Sequence, residues 1–150
     1  LLLSQLYTVT GSSVGRWLQL GFLGPFFFAV GYDAVETLNL HAGGGGRDIL
    51  VGGVGGDWLD GGADDDLLFD GTTAYDGDPA ALLAIRSVWV DPLLSYEDRV
   101  KDLRKDYFKG NAVASDGDAD QLLGQGSFDW FWANLAFDLL DRDPLTEELG

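Results

Sequence analysis

A period of nine residues, written three times in succession between residues 43 and 69, limits what this chain can fold into more than any other feature. Gly43-Gly44-Gly45-Gly46-Arg47-Asp48-Ile49-Leu50-Val51 is followed by Gly52-Gly53-Val54-Gly55-Gly56-Asp57-Trp58-Leu59-Asp60. Gly61-Gly62-Ala63-Asp64-Asp65-Asp66-Leu67-Leu68-Phe69 completes the run. The first two fit G-G-x-G-x-D-x-U-x at every fixed position, where U is a large apolar residue, and the third departs only at Asp64. Six glycine-rich residues make a tight loop, because glycine accepts φ > 0 and lets backbone groups converge. The last three make a short strand whose middle residue, Leu50, Leu59 or Leu68, points inward. Two nonapeptides complete one circuit, so each aspartate stands over the one eighteen residues later. Asp48 and Asp66 then share a side, with Asp57 on the other.

Two carboxylates stacked about 5 Å apart repel by about 3 kcal/mol at an effective dielectric near 20. A hard dication removes that penalty. Calcium takes 6–8 oxygen ligands at about 2.3–2.6 Å, and a loop of glycine carbonyls and aspartates offers only oxygens. Magnesium fits less well, since it demands near-octahedral geometry and keeps its water. The chain has no cysteine and one histidine, so no sulfur or nitrogen cluster competes for zinc.

The rest of the composition agrees with a compact domain that attracts cations. At 150 residues and 46% apolar content the chain can bury one core. Its net charge of -16 repels nucleic acid and anionic membranes. The apolar stretch 17–30 contains Gln19 and Pro25 and is shorter than the ~20 residues of a membrane span, so it is read as core. With no methionine, and with Leu1-Leu2-Leu3 a poor signal peptide, the chain is read as part of a larger polypeptide.

Along the chain, residues 1–42 favour strands: Tyr7–Thr10, Phe26–Val30 and Ala34–Leu40 are β-prone, with Gly21, Gly24-Pro25 and Gly31 as turns. Residues 43–71 hold the nonapeptides. Residues 72–114 lose the period and form a helical insertion. Asp78 caps a helix starting at Pro79 and running to about Val90, and Ser95 begins a second, with Asp98 at the capping-box position. Basic residues at 99–109 alternate with acids, as on an exposed, ion-paired helix. Residues 115–143 read as degenerate turns: Asp120, Asp129 and Asp138 are again nine apart, each followed two places later by Leu122, Phe131 or Leu140.

Residues 43–71 resemble the RTX, or hemolysin-type, calcium-binding repeats. The stretch 120–135 is similar to a segment that ends such domains in large surface proteins, as is Gly71–Asp76 in leaving the repeats for a helical insert. The resemblance implies a mainly β fold, a short right-handed parallel β-roll (a β-solenoid) with an α-helical insertion, in a secreted or cell-surface protein. It implies calcium ligation by Asp48, Asp57 and Asp66. Asp64 and the loop backbone at Gly44, Gly46, Gly53, Gly55 and Gly62 stand beside them as candidates, and Asp118, Asp120 and Asp129 as secondary ones. Since Asn39 precedes Asp48 by nine and Tyr75 follows Asp66 by nine, only Asp48/Asp66 forms a complete sequential pair, and Asp57 is expected to lack an acidic partner.

Other patterns are weaker. Asp116, Asp118 and Asp120 form a D-x-D-x-D run, but Gln121 and Ser127 replace the Gly and Glu of a helix-loop-helix calcium loop. Gly11-Ser12-Ser13-Val14-Gly15 matches a nucleophile elbow, with His41 the sole possible base, and is read as a polar turn. Ile49, Val51, Leu67 and Phe69 are expected to form one apolar patch, covered by the Leu82, Ile85, Trp89 face of the first inserted helix. Trp130 and Trp132 point outward from a strand whose Phe131 points in, and packing beneath the insert is preferred to ligand binding. The reading is calcium-dependent folding of an extracellular, non-enzymatic domain with no nucleic-acid partner and no membrane insertion. Adhesion through exposed aromatics, and a hydrolase built on Ser13 and His41, are the alternatives.

Overall fold

A computed structural model describes residues 39–42 and 45–150, and the backbone of the strand Phe28–Val30. The strand expected at Tyr7–Thr10, most of the apolar stretch 17–30, Ser13 and Gly44 lie outside the described residues. The protein is mostly short strands with two short helices. In chain order these are β1 (Phe28–Val30), β2 (Asn39–His41), β3 (Ile49–Val51), β4 (Trp58–Asp60), β5 (Leu67–Phe69), β6 (Thr72–Thr73), α1 (Pro79–Trp89) and α2 (Tyr96–Asp106). They continue with β7 (Val113–Ala114), β8 (Gln121–Leu123), β9 (Trp130–Trp132), β10 (Leu139–Leu140) and β11 (Glu148–Leu149).

Consecutive strands of the nonapeptides go to different sheets. One sheet has the order β1-β3-β5-β9-β11 and the other β10-β8-β4-β2, with every pairing parallel. The register pairs residues of alternate strands: Leu50 lies beside Leu68, and Leu68 beside Phe131, while Leu59 lies between Leu40 and Leu122. These middle residues from both sheets form one buried cluster. Each is fully buried, as a period-two strand with one face inward requires.

Between β5 and β8 the chain leaves the sheets. β6 and β7 pair antiparallel and close the base of this excursion. Asp78 caps α1, its carboxylate accepting from the N–H groups of Ala80 and Ala81, and Pro79 takes the first helical position, where no donor is needed. Ser95 caps α2 by accepting from the Asp98 N–H. The helices cover the first sheet. Ile49, Val51, Leu67, Phe69 and Trp130 share a core with Leu82, Ile85, Trp89, Tyr96, Val100, Leu103 and Phe108. Trp132 packs against the same core, so both outward tryptophans of β9 lie under the insert.

Lys101, Lys105 and Lys109 are exposed, as expected of this helix and the residues after it, but Arg99 is not. It is buried, 2% exposed, and pairs with Asp65 while its guanidinium lies 4.8 Å from the centre of the Trp89 ring. Trp89 Nε1 donates to the Asp65 carbonyl at 3.0 Å, so the helices are locked to the third nonapeptide turn. No helix among the described residues is long and apolar enough to cross a membrane.

Candidate metal centre

Among the described residues, the turns that begin at Gly52, Gly61 and Gly124 close on their own aspartates, Asp57, Asp66 and Asp129. At the first position a side chain has no room: a Cβ on Gly61 would lie 2.2 Å from Asp66 Oδ2, and one on Gly124 would lie 2.1 Å from Asp129 Oδ2. The sixth-position carboxylate therefore folds back into the mouth of its own turn. At the fourth position the backbone needs positive φ, which Gly46 and Gly55 supply at 115° and 101°. Asp64 holds the same place at 74° and Ser127 at 86°, so the turn shape outlasts the glycines that usually favour it.

The aspartates form two ladders. On one side the Asp48 N–H donates to Asp66 Oδ1 at 2.8 Å, and the Asp66 N–H donates to Asp129 Oδ1 at 2.7 Å. On the other, the Asp57 N–H donates to Asp120 Oδ1 at 2.6 Å, and the Asp120 N–H donates to Asp138 Oδ1 at 3.1 Å. The outer parts of the turns are tied in the same way. Gly46 N–H donates to Asp64 Oδ2 at 3.0 Å, and Gly55 N–H donates to Asp116 Oδ2 at 2.6 Å.

Asp66, Asp129 and Asp120 each hold a ladder N–H on one oxygen and leave the other over, whereas Asp138 accepts at both, from the Asp120 and Asn134 N–H groups. Asp66 Oδ2, Asp129 Oδ2, Asp120 Oδ2 and Asp70 Oδ2 are buried with no hydrogen-bond partner. The ion pairs of the described residues reach none of these four aspartates, nor Asp138. Burial pushes the Asp66 carboxyl up to about 9, despite the Asp48 N–H bond that lowers it, with the negative Asp48, Asp129 and Asp64 adding to the rise. Asp129 is pushed to about 8 and Asp120 to about 7, in both cases chiefly by burial. Asp70 is raised by burial, with Asp138 beside it. A buried carboxylate in this state needs a proton or a cation.

Asp70, Asp120 and Asp138 come closest to a preformed cage: each brings a carboxylate oxygen within 4.8 Å of the other two. Carboxylate charges at that spacing repel by about 3 kcal/mol per pair at an effective dielectric near 20.

Several site residues expected from the sequence are brought together. Asp48, Asp66 and Asp129 share one ladder, and Asp57 and Asp120 share the other. The expectation that Asp57 lacks an acidic partner is corrected. The pairing that spans eighteen residues between Asp48 and Asp66 spans sixty-three for both Asp57/Asp120 and Asp66/Asp129, because the helical excursion is skipped by the sheet register. Gly53 and Gly62 supply positive φ at 99° and 98°. Asp118 is exposed, tied to the D-x-D-x-D run by its N–H on Asp116 Oδ1. His41 Nδ1 lies 2.7 Å from Asp60 Oδ2 across the β2–β4 pair.

Sequence reasoning missed Asp70 and Asp138 as candidate ligands. The signal for Asp70 was available, since it stands nine residues after Gly61, where the pattern otherwise has glycine. For Asp138 the signal is its place nine residues after Asp129. No protein-family model, curated protein or solved structure matches the chain.

Proposed function

We propose that this chain is a calcium-binding module whose folding is completed by the ion. The observation that carries the reading is the pair of buried oxygens, Asp66 Oδ2 and Asp129 Oδ2, aimed into glycine-bounded turns with no hydrogen-bond partner and no basic residue paired to them. Oxygen-only donors, dense negative charge and the absence of cysteine suit calcium better than a transition metal. The parallel sheets and alternating strands support the finer architecture we assign, a short right-handed β-roll with a helical insert, of the RTX or hemolysin-type kind. The setting is then an extracellular one, as part of a larger secreted or surface polypeptide, where calcium is millimolar.

The chain's own residues do the following. The ladders hold the sixth-position carboxylates in line through backbone N–H bonds, and the first-position glycines leave space for the free oxygens. Asp64 and Asp116 fasten the outer loops by accepting from the Gly46 and Gly55 N–H groups. Calcium supplies the positive charge that lets these acids remain ionised while buried. Because the ladders exist only in the folded chain, binding energy becomes folding energy. A site with Kd of about 10⁻⁴ M, within the range of extracellular modules, adds about 1.4 kcal/mol at tenfold excess, and several sites add together.

Isothermal titration with calcium, together with far-UV circular dichroism in calcium and in chelator, tests this. Expected are saturable heat and a gain of β signal with calcium. A spectrum and a stability that chelation leaves unchanged would refute it. Recognition of a ligand through the β9 aromatics is the less favoured reading, since Trp130 is buried and Trp132 packs under the helices.

A further inference from the structure

Asp70 ends the third nonapeptide run at the point where the chain leaves the first sheet for the helices. Its N–H donates to the Trp132 carbonyl at 2.9 Å, and its Oδ1 accepts from the Gly71 N–H at 2.6 Å. Gly71 leads directly into β6, whose pairing with β7 closes the excursion. Asp120 stands where the chain returns, one residue before β8, and Asp138 one residue before β10. Three points far apart in sequence, the exit, the re-entry and the following circuit, thus bring carboxylate oxygens within 4.8 Å of one another.

A calcium ion holding oxygens at about 2.3–2.6 Å bridges pairs up to about 5 Å apart, so this spacing is the one a shared ion imposes. Hydrogen bonds account for part of the cluster: Asp138 accepts from the Asp120 and Asn134 N–H groups, and Asp70 has side-chain bonds to Ser115 and Asp138. Asp70 and Asp120 are each 1% exposed, and each keeps a buried Oδ2 with no hydrogen-bond partner. No Lys, Arg or His forms an ion pair with any of the three among the described residues. The backbone leaves no slack, because a Cβ on Gly52 would lie 2.6 Å from the Asp70 carbonyl and one on Gly71 would lie 2.1 Å from the Ala114 carbonyl.

We propose that Asp70, Asp120 and Asp138 form a separate calcium site that clamps the base of the helical excursion to the sheets. This rests on the reading that the fold takes up calcium, and adds a site off the nonapeptide pattern, since Asp70 occupies a glycine position. The ion joins the exit and return strands, so its occupancy governs how firmly the helices are held over the first sheet.

The test is a calcium titration of the full chain by native mass spectrometry, paired with hydrogen exchange. Wild type is expected to bind one ion more than Asp70→Asn and one more than Asp138→Asn. Both variants keep the ion that Asp66→Asn loses. In wild type, calcium is expected to slow exchange at least tenfold at residues 71–75 and 112–121 as well as at 48–66. In Asp70→Asn only the second protection remains. Ion counts and protection unchanged in Asp70→Asn would overturn the clamp while leaving calcium-dependent folding intact. Wild type that binds no calcium would overturn both. If neither variant folds, the wild-type exchange profile decides, and calcium protection confined to 48–66 would overturn the clamp. Loss of this ion to tenfold excess magnesium would overturn its assignment to calcium.

Discussion

Raising the pH of the metal-free protein from 5 to 7 should remove much of its stability. Asp66, Asp129 and Asp120 have an ordinary carboxyl value of 3.8, and the folded chain pushes them to about 9, 8 and 7. A folded value raised above the unfolded one means that the folded state binds the proton more tightly. Its contribution is fully present below pH 3.8 and is lost as pH rises through the folded values. Between pH 5 and 7 three protons are held by the folded state and not by the unfolded one. Each costs about 1.4 kcal/mol per pH unit, so the fold loses about 8 kcal/mol over that interval, somewhat less than three full protons because Asp120 is half-titrated at its upper end. That is within the whole stability of an ordinary domain, about 5–15 kcal/mol. On the proposed reading calcium takes the place of the protons, and with excess calcium the dependence should reverse, acid weakening the fold by displacing the ion. Urea denaturation followed by tryptophan fluorescence, at pH 5, 6, 7 and 8 in chelator and in calcium, measures both arms. The expected result is a metal-free midpoint that falls steeply with pH and a calcium-bound one that does not. A metal-free stability that is flat, or that rises from pH 5 to 7, would refute the reasoning.

Five substitutions probe the parts of the structure around the site. Gly61→Ala should cost about 2–3 kcal/mol, since its Cβ would meet Asp66 Oδ2 at 2.2 Å, whereas Gly126→Ala, with nothing within 4 Å, should change stability by less than about 0.5 kcal/mol. Equal denaturation midpoints for the two would contradict the packing of the carboxylate into its turn. Arg99→Met should cost about 3 kcal/mol by leaving Asp65 with Arg47 alone, and adding Asp65→Asn should restore part of it in a double-mutant cycle. Leu68→Ala, at a fully buried position between Leu50 and Phe131, should cost about 2–5 kcal/mol by thermal or urea unfolding, with the calcium stoichiometry unchanged.

Much of the fold was legible because the nonapeptide imposes its geometry locally. A glycine-rich loop followed by a three-residue strand determines which residue faces in, and Leu50, Leu59 and Leu68 are all fully buried. Alternation between sheets follows from the same unit, as does the common side of Asp48 and Asp66. The helix caps Asp78 and Ser95 were legible for the same reason, each answering donors within three residues. The apolar residues flanking the inward leucines announced a covered face, which the Leu82, Ile85, Trp89 stripe meets.

What the sequence could not contain is where the pattern resumes after the helices. Pairing of Asp57 with Asp120 and of Asp66 with Asp129 depends on strand register across a sheet, which nothing local encodes once the helices interrupt the repeat. Arg99 reads as one of several surface charges until the helix is set against the third turn, where Asp65 awaits it. The gathering of Asp70, Asp120 and Asp138 likewise arises only when the end of β5 and the starts of β8 and β10 are brought together. Short-range patterns settle the conformation of a turn and the inward face of a strand; which turns become neighbours is decided by the packing that buries them together.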